Sequence, residues 1–336
     1  MAWWAACGAS LGLLLGGACA GDGGAGGHGG TGGGAATGLG GAPVAGSGGF
    51  GGSAGGVGGQ PVGGSGAGGQ GGAVPADFRE PGPYDAQVTT GSFTTTSSCV
   101  LNYDLYEPQG TPWSGLVVAL HGLQCGRQHM AGFAEHWASW GLRVVAPDLC
   151  HSTLVDMDQE QNGLDAIELA ASLSAGPMIY AGHSAGGLSA LVAAAHDPGT
   201  LASFGLDPAE WNGIGTAAVP DITSPGYAAL GVPSNCNGYG NAVPLYDAMA
   251  DGRMLRVTEA DHCDFSSPNT CTQCQLGCGV GTNLLFTDAE ITATIRGLST
   301  SFMLWQAGLN ATGSQWWTAG QPPYDSLLNA GAISVP

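Results

Sequence analysis

The stretch Met178-Ile-Tyr-Ala-Gly182-His-Ser-Ala-Gly-Gly-Leu188-Ser-Ala-Leu-Val-Ala-Ala-Ala195 decides the reading of this chain. Met178 to Ala181 is a short apolar run of strand length, and Gly187 to Ala195 has helical spacing and composition. Between them lies Gly182-His183-Ser184-Ala185-Gly186, a G-x-S-x-G turn in the strand–turn–helix context that gives the motif meaning. A serine there sits on a strained turn with its hydroxyl presented outward. A side chain at Gly182 or Gly186 would crowd the adjacent strand or helix. The helix after the turn aims its first amides, and the positive end of its dipole, at the hydroxyl. Ser184 is therefore the candidate nucleophile. In a Gly/Ala-rich chain the motif alone is cheap, and the flanking strand and helix carry the assignment.

Outward from this turn the pattern alternates. Leu101 to Glu107, Leu116 to Leu120, Arg143 to Ala146, Ser203 to Leu206, Gly226 to Val232 and Met254 to Glu259 read as strands. His129 to Trp140, Gly163 to Leu173 and Asp288 to Ala307 read as helices. Short apolar strands separated by helices of about ten residues predict an α/β fold, a doubly wound and mostly parallel sheet flanked by helices. Its site belongs at the carboxyl ends of the strands.

Three further segments fall at such ends. Leu116-Val-Val-Ala-Leu120 runs into His121-Gly122-Leu123, a turn able to offer a backbone N–H to a developing oxyanion. Leu123 and Ala185, the residue after the serine, are the candidate oxyanion donors. Met254-Leu-Arg-Val-Thr-Glu259 is followed by Asp261-His262-Cys263, which makes His262 the candidate base. His121 reads as a structural histidine of its turn, and His151 is the rival base. Asp207 ends Ser203-Phe-Gly-Leu206, is followed by Pro208, and lies between Ser184 and His262 in the chain. It is preferred as the acid over Asp148, which precedes the serine, and Asp264, which is too close to His262 in sequence. Ser234-Asn235-Cys236-Asn237 stands after the next strand, with no acid directly there.

Composition narrows the class. The 336 residues carry 25 acidic and 6 basic side chains, all six arginine, for a net charge of −19. General phosphate-backbone binding is excluded on that balance, so no nucleic-acid partner is expected, and the same balance argues against recruitment to anionic membranes. From Ala20 to Gly72 there are 29 glycines in 53 residues, and almost nothing large and apolar. Residues 20–75 therefore read as a glycine-rich disordered linker, and residues 76–336 as the catalytic domain.

Residues 1–19 read as a signal peptide, with Leu11 to Leu15 as its apolar centre. Leu15-Gly-Gly-Ala-Cys19 resembles a loose bacterial lipobox, which would make Cys19 a lipid anchor on the bacterial envelope. A plain secretory signal and an uncleaved anchor are the other readings. Eight further cysteines, an even number in an exported chain, favour disulfides, although eight allow about 105 pairings. Cys271-Thr-Gln-Cys274-Gln-Leu-Gly-Cys278 is a weaker candidate for a zinc site with His262, because no second pair has a finger spacing. No metal or organic cofactor is expected.

Taken together, Leu120-His-Gly-Leu123, Gly182-His-Ser-Ala-Gly186, Gly205-Leu-Asp-Pro208 and Ala260-Asp-His-Cys-Asp-Phe265 resemble the α/β-hydrolase superfamily. The nearest likeness is to chlorophyllase-like and platelet-activating-factor-acetylhydrolase-like serine esterases. The resemblance covers roughly residues 80–310. It implies a Ser184–His262–Asp207 triad and an oxyanion hole from Leu123 and Ala185. Gln124 stands where that group often has glycine, and Ala185 replaces the arginine common in plant chlorophyllases, so chlorophyll is not implied. The cysteines flanking His262 depart from that group, and Cys263 is expected to pair with Cys271, Cys274 or Cys278 and staple the histidine loop. The expected activity is an exported, monomeric esterase acting on a small or lipid-like ester. A polyester depolymerase, lipase or thioesterase on the same fold is one alternative, and a catalytically inactive surface-binding module is the other.

Overall fold

The computed structural model describes residues 76–110, 112–278 and 283–336. The chain divides into two units between Ala73 and Val74, and the described residues all belong to the second. The expected signal, the lipobox cysteine Cys19 and the glycine-rich linker lie outside the described residues.

Among the described residues nine strands form one sheet: β1 (Ala86–Thr94), β2 (Val100–Pro108), β3 (Leu116–Leu120), β4 (Val144–Pro147), β5 (Met178–His183), β6 (Thr200–Leu206), β7 (Gly226–Leu230), β8 (Gly252–Val257) and β9 (Ile333–Ser334). Their spatial order is β1-β2-β4-β3-β5-β6-β7-β8-β9. The five pairings from β4 to β8 are parallel, and the pairings β1–β2, β2–β4 and β8–β9 are antiparallel.

Every residue of β3, β4, β5 and β7 is buried, because helices cover both faces. Alternation within β3 then assigns the faces. Val117 and Ala119 join Ile179, Ala181 and Phe204 in a core under helices α1 (Ala131–Ser139) and, later in the chain, Asp288–Gln306. Leu116, Val118 and Leu120 join Tyr180 in a second core under α2 (Gln159–Leu173) and α3 (Ala185–His196). A period of two feeding two apolar layers is what a doubly wound sheet requires.

The chain leaves β3 for β4 on one side and returns past it to β5 on the other. The crevice at the carboxyl ends of β3 and β5 is thus a topological switch point, where open α/β sheets bind ligands.

The elements expected from sequence are present with shifted ends. Helix α2 starts at Gln159, four residues before the apolar spacing begins, because Asp158 caps it by accepting from the Gln161 N–H at 2.9 Å. The expected helix from His129 opens as a 3-10 turn (Arg127–His129) before α1. Strand β1 was not legible: it is a polar edge strand with most residues exposed. Among the described residues no helix is long and apolar enough to cross a membrane.

Candidate active site

Ser184 lies between β5 and α3 with φ 55° and ψ −121°, a backbone conformation costly for a non-glycine residue. The surroundings enforce it. A Cβ on Gly182 would overlap the Gly186 carbonyl, and one on Gly186 would overlap the carbonyls of Leu120 and His121. The turn is therefore packed against the end of β3, and only glycine fits on either side of the serine.

The chain then assembles three side chains from distant loops. His262 lies 78 residues after Ser184 and 55 after Asp207. Its Nδ1 is 2.6 Å from Asp207 Oδ2, and its Nε2 is 2.8 Å from Ser184 Oγ. An ionised carboxylate only accepts, so Nδ1 carries the proton and Nε2 is left to accept from the hydroxyl. All three are buried, Ser184 at 8%, His262 at 3% and Asp207 at 1% relative exposure. The low dielectric strengthens both bonds.

Asp207 follows β6, also at positive φ (43°), and its amide donates to the Ala229 carbonyl of β7 at 2.8 Å. Its Oδ1 accepts from the Gly231 N–H at 2.9 Å. Asn237 Nδ2 lies 3.2 and 3.0 Å from its two oxygens. His262 opens a short 3-10 turn capped by Asp261, whose carboxylate accepts from the Cys263 and Asp264 amides.

The oxyanion candidates stand beside the serine. A Cβ on Gly122 would come 3.3 Å from Ser184 Cβ, so the turn after β3 abuts Ser184. Among the described residues, the Leu123 N–H donates to no carbonyl or side chain. Ala185 is the first residue of α3, where an amide has no carbonyl one turn back.

The rivals are occupied elsewhere. His121 Nδ1 donates to the Gly122 carbonyl at 2.9 Å, and its Nε2 accepts from the Leu149 amide at 2.9 Å, which makes it structural. Burial holds it below the usual histidine range. His151 pairs with Asp156, and Asp148 with Arg127. Asp264 accepts from the Asp261 amide rather than facing the imidazole. His183, next to the serine in the chain, packs against His262. Burial, then the neighbouring His262, holds it well below the usual range and therefore neutral.

All eight cysteines of the domain are paired: Cys99–Cys150, Cys125–Cys271, Cys236–Cys278 and Cys263–Cys274. Three of these converge on the short helix Thr272–Cys278 and the residue before it. They tie it to the turn after β3, to the loop bearing Asn237, and to the residue after His262. The sulfurs of Cys263, Cys274 and Cys278 lie within 4.8 Å of one another. Each belongs to a disulfide and has no thiolate to offer a metal. The chain matches no protein-family model and no curated protein.

Proposed function

We propose that this chain is an exported serine hydrolase with the α/β-hydrolase fold, cleaving carboxylic esters through Ser184, His262 and Asp207. The observation that carries the reading is the unbroken relay of 2.8 Å and 2.6 Å from hydroxyl to imidazole to carboxylate. The order serine after β5, acid after β6 and base after β8 supports the fold assignment.

Ser184 Oγ attacks the ester carbonyl while His262 Nε2 takes its proton. Asp207 holds the imidazole in the required tautomer and stabilises the imidazolium. The Leu123 and Ala185 amides receive the negative oxygen, each worth about 3–4 kcal/mol in the transition state. Collapse expels the alcohol, which leaves with the proton from His262. Water, deprotonated by the same imidazole, then frees the acid and restores Ser184. The base works in its unprotonated form.

Among exposed large apolar side chains, Val155, Leu276, Leu284 and Leu285 stand out at 97, 80, 81 and 74%. All belong to segments that leave the carboxyl ends of β4 and β8, the site end of the sheet. That favours apolar acyl groups, including those of lipid or polyester substrates. Four disulfides support an oxidising compartment, and Cys19 is the proposed lipid anchor.

The test compares the full chain with Ser184→Ala on p-nitrophenyl esters of increasing acyl length near pH 8. Turnover by the parent alone supports the esterase. Equal background rates in two folded, oxidised proteins would favour the inactive binding module.

A further inference from the structure

We propose that Asn237 is a positioning residue for the acid, and that the disulfide beside it, Cys236–Cys278, fixes its place. The inference rests on the Ser184–His262–Asp207 triad and extends it by one member. Asn237 is 1% exposed and uses its whole amide. Its Oδ1 accepts from the Ser234 amide at 2.8 Å and the Gly240 amide at 3.1 Å. Two N–H donors on that oxygen exclude the flipped amide, so Nδ2 faces Asp207.

The two Nδ2 hydrogens are then accounted for. One goes to the Val232 carbonyl at 2.9 Å, and the other is shared between both Asp207 oxygens, 3.0 and 3.2 Å away. With the Gly231 amide on Oδ1 and His262 on Oδ2, the carboxylate is held in one plane by three donors. A carboxylate free to rotate would leave the imidazole free to rotate with it. Orientation of the base toward Ser184 thus depends on a side chain from the loop after β7, where the sequence offers no acid. Cys236, adjacent in the chain, bonds Cys278 and anchors that loop from outside.

The test is a double-mutant cycle in the full chain, read with a p-nitrophenyl ester, with Asn237→Ala made in the parent and in Asp207→Ala. Losing a hydrogen bond to a charged group lowers kcat about 10–100-fold, with KM little changed. In the Asp207→Ala background the same substitution costs less than about twofold, because its target is gone. A loss of equal size in both backgrounds, or a parent-like kcat for Asn237→Ala, overturns the proposal. If Asp207→Ala itself retains parent activity, the triad reading fails first, and the proposal with it.

Asn237→Asp covers the case in which the alanine variant does not fold. It keeps the acceptor for Ser234 and Gly240 but places an oxygen against Asp207, so kcat falls at least as far. A parent-like kcat in that variant also overturns the proposal.

Discussion

His183 donates from Nε2 to the backbone carbonyl of His262 at 2.8 Å, with the two ring centroids 4.7 Å apart. The residue before Ser184 therefore holds the main chain of His262. Its Nδ1 accepts from Ser266 Oγ at 3.2 Å, four residues further along the same loop. Removing the donor in His183→Ala should lower kcat by about tenfold per active site. His183→Gln, which can reach the same carbonyl, should recover part of it. Steady-state kinetics normalised by active-site titration check this, and equal kcat in both variants and the parent would refute it.

The disulfides should separate stability from activity. Cys263–Cys274 sits beside His262, whereas Cys99–Cys150 joins the start of β2 to the chain after β4. Replacing Cys99 and Cys150 by serine should lower Tm and leave kcat of the folded protein near that of the parent. Replacing Cys263 and Cys274 should lower both. Thermal melts alongside kcat for the two double variants decide it, and equal losses of kcat would contradict the assignment.

Asp264 gives a pH signature. Burial, and then the nearby Asp261 charge, pushes its carboxyl up to about 6. In the unfolded chain it titrates near its ordinary value of about 4. The folded state thus holds the proton more tightly, and ionisation of Asp264 lowers stability as pH rises from about 4 to about 6. Asp264→Asn removes that titration. Its Tm relative to the parent should climb across this window and level off above it, as followed by calorimetry. A difference that stays constant with pH would contradict the shift.

The legible part of the molecule is the part where one property repeats. Leu116–Leu120 and Met178–Ala181 read as buried strands because every residue is apolar, and both are fully buried. Ser184, His262 and Asp207 are each marked by a strand ending just before them, and the structure brings all three together. Asn237 carries no such mark, since its use depends on Asp207 arriving from β6 across 30 residues. The start of α2 is hidden by its polar first turn, although Asp158 is a readable cap. Strand β1 has no apolar face to read, because it lies at the sheet edge against β2 alone. The choice of Cys274 over Cys271 and Cys278 for Cys263 depends on packing around a seven-residue helix.

The most direct test of the central claim is covalent. The full chain, folded and oxidised, would be treated near pH 8 with a fluorophosphonate, then digested and analysed by mass spectrometry. An activated serine displaces fluoride and keeps the phosphonyl group, so the account predicts one adduct per chain, on Ser184. The label should be absent from Ser184→Ala and strongly slowed in His262→Ala. An unlabelled parent, or an adduct on another serine, would contradict the assignment of Ser184 as a nucleophile activated by His262.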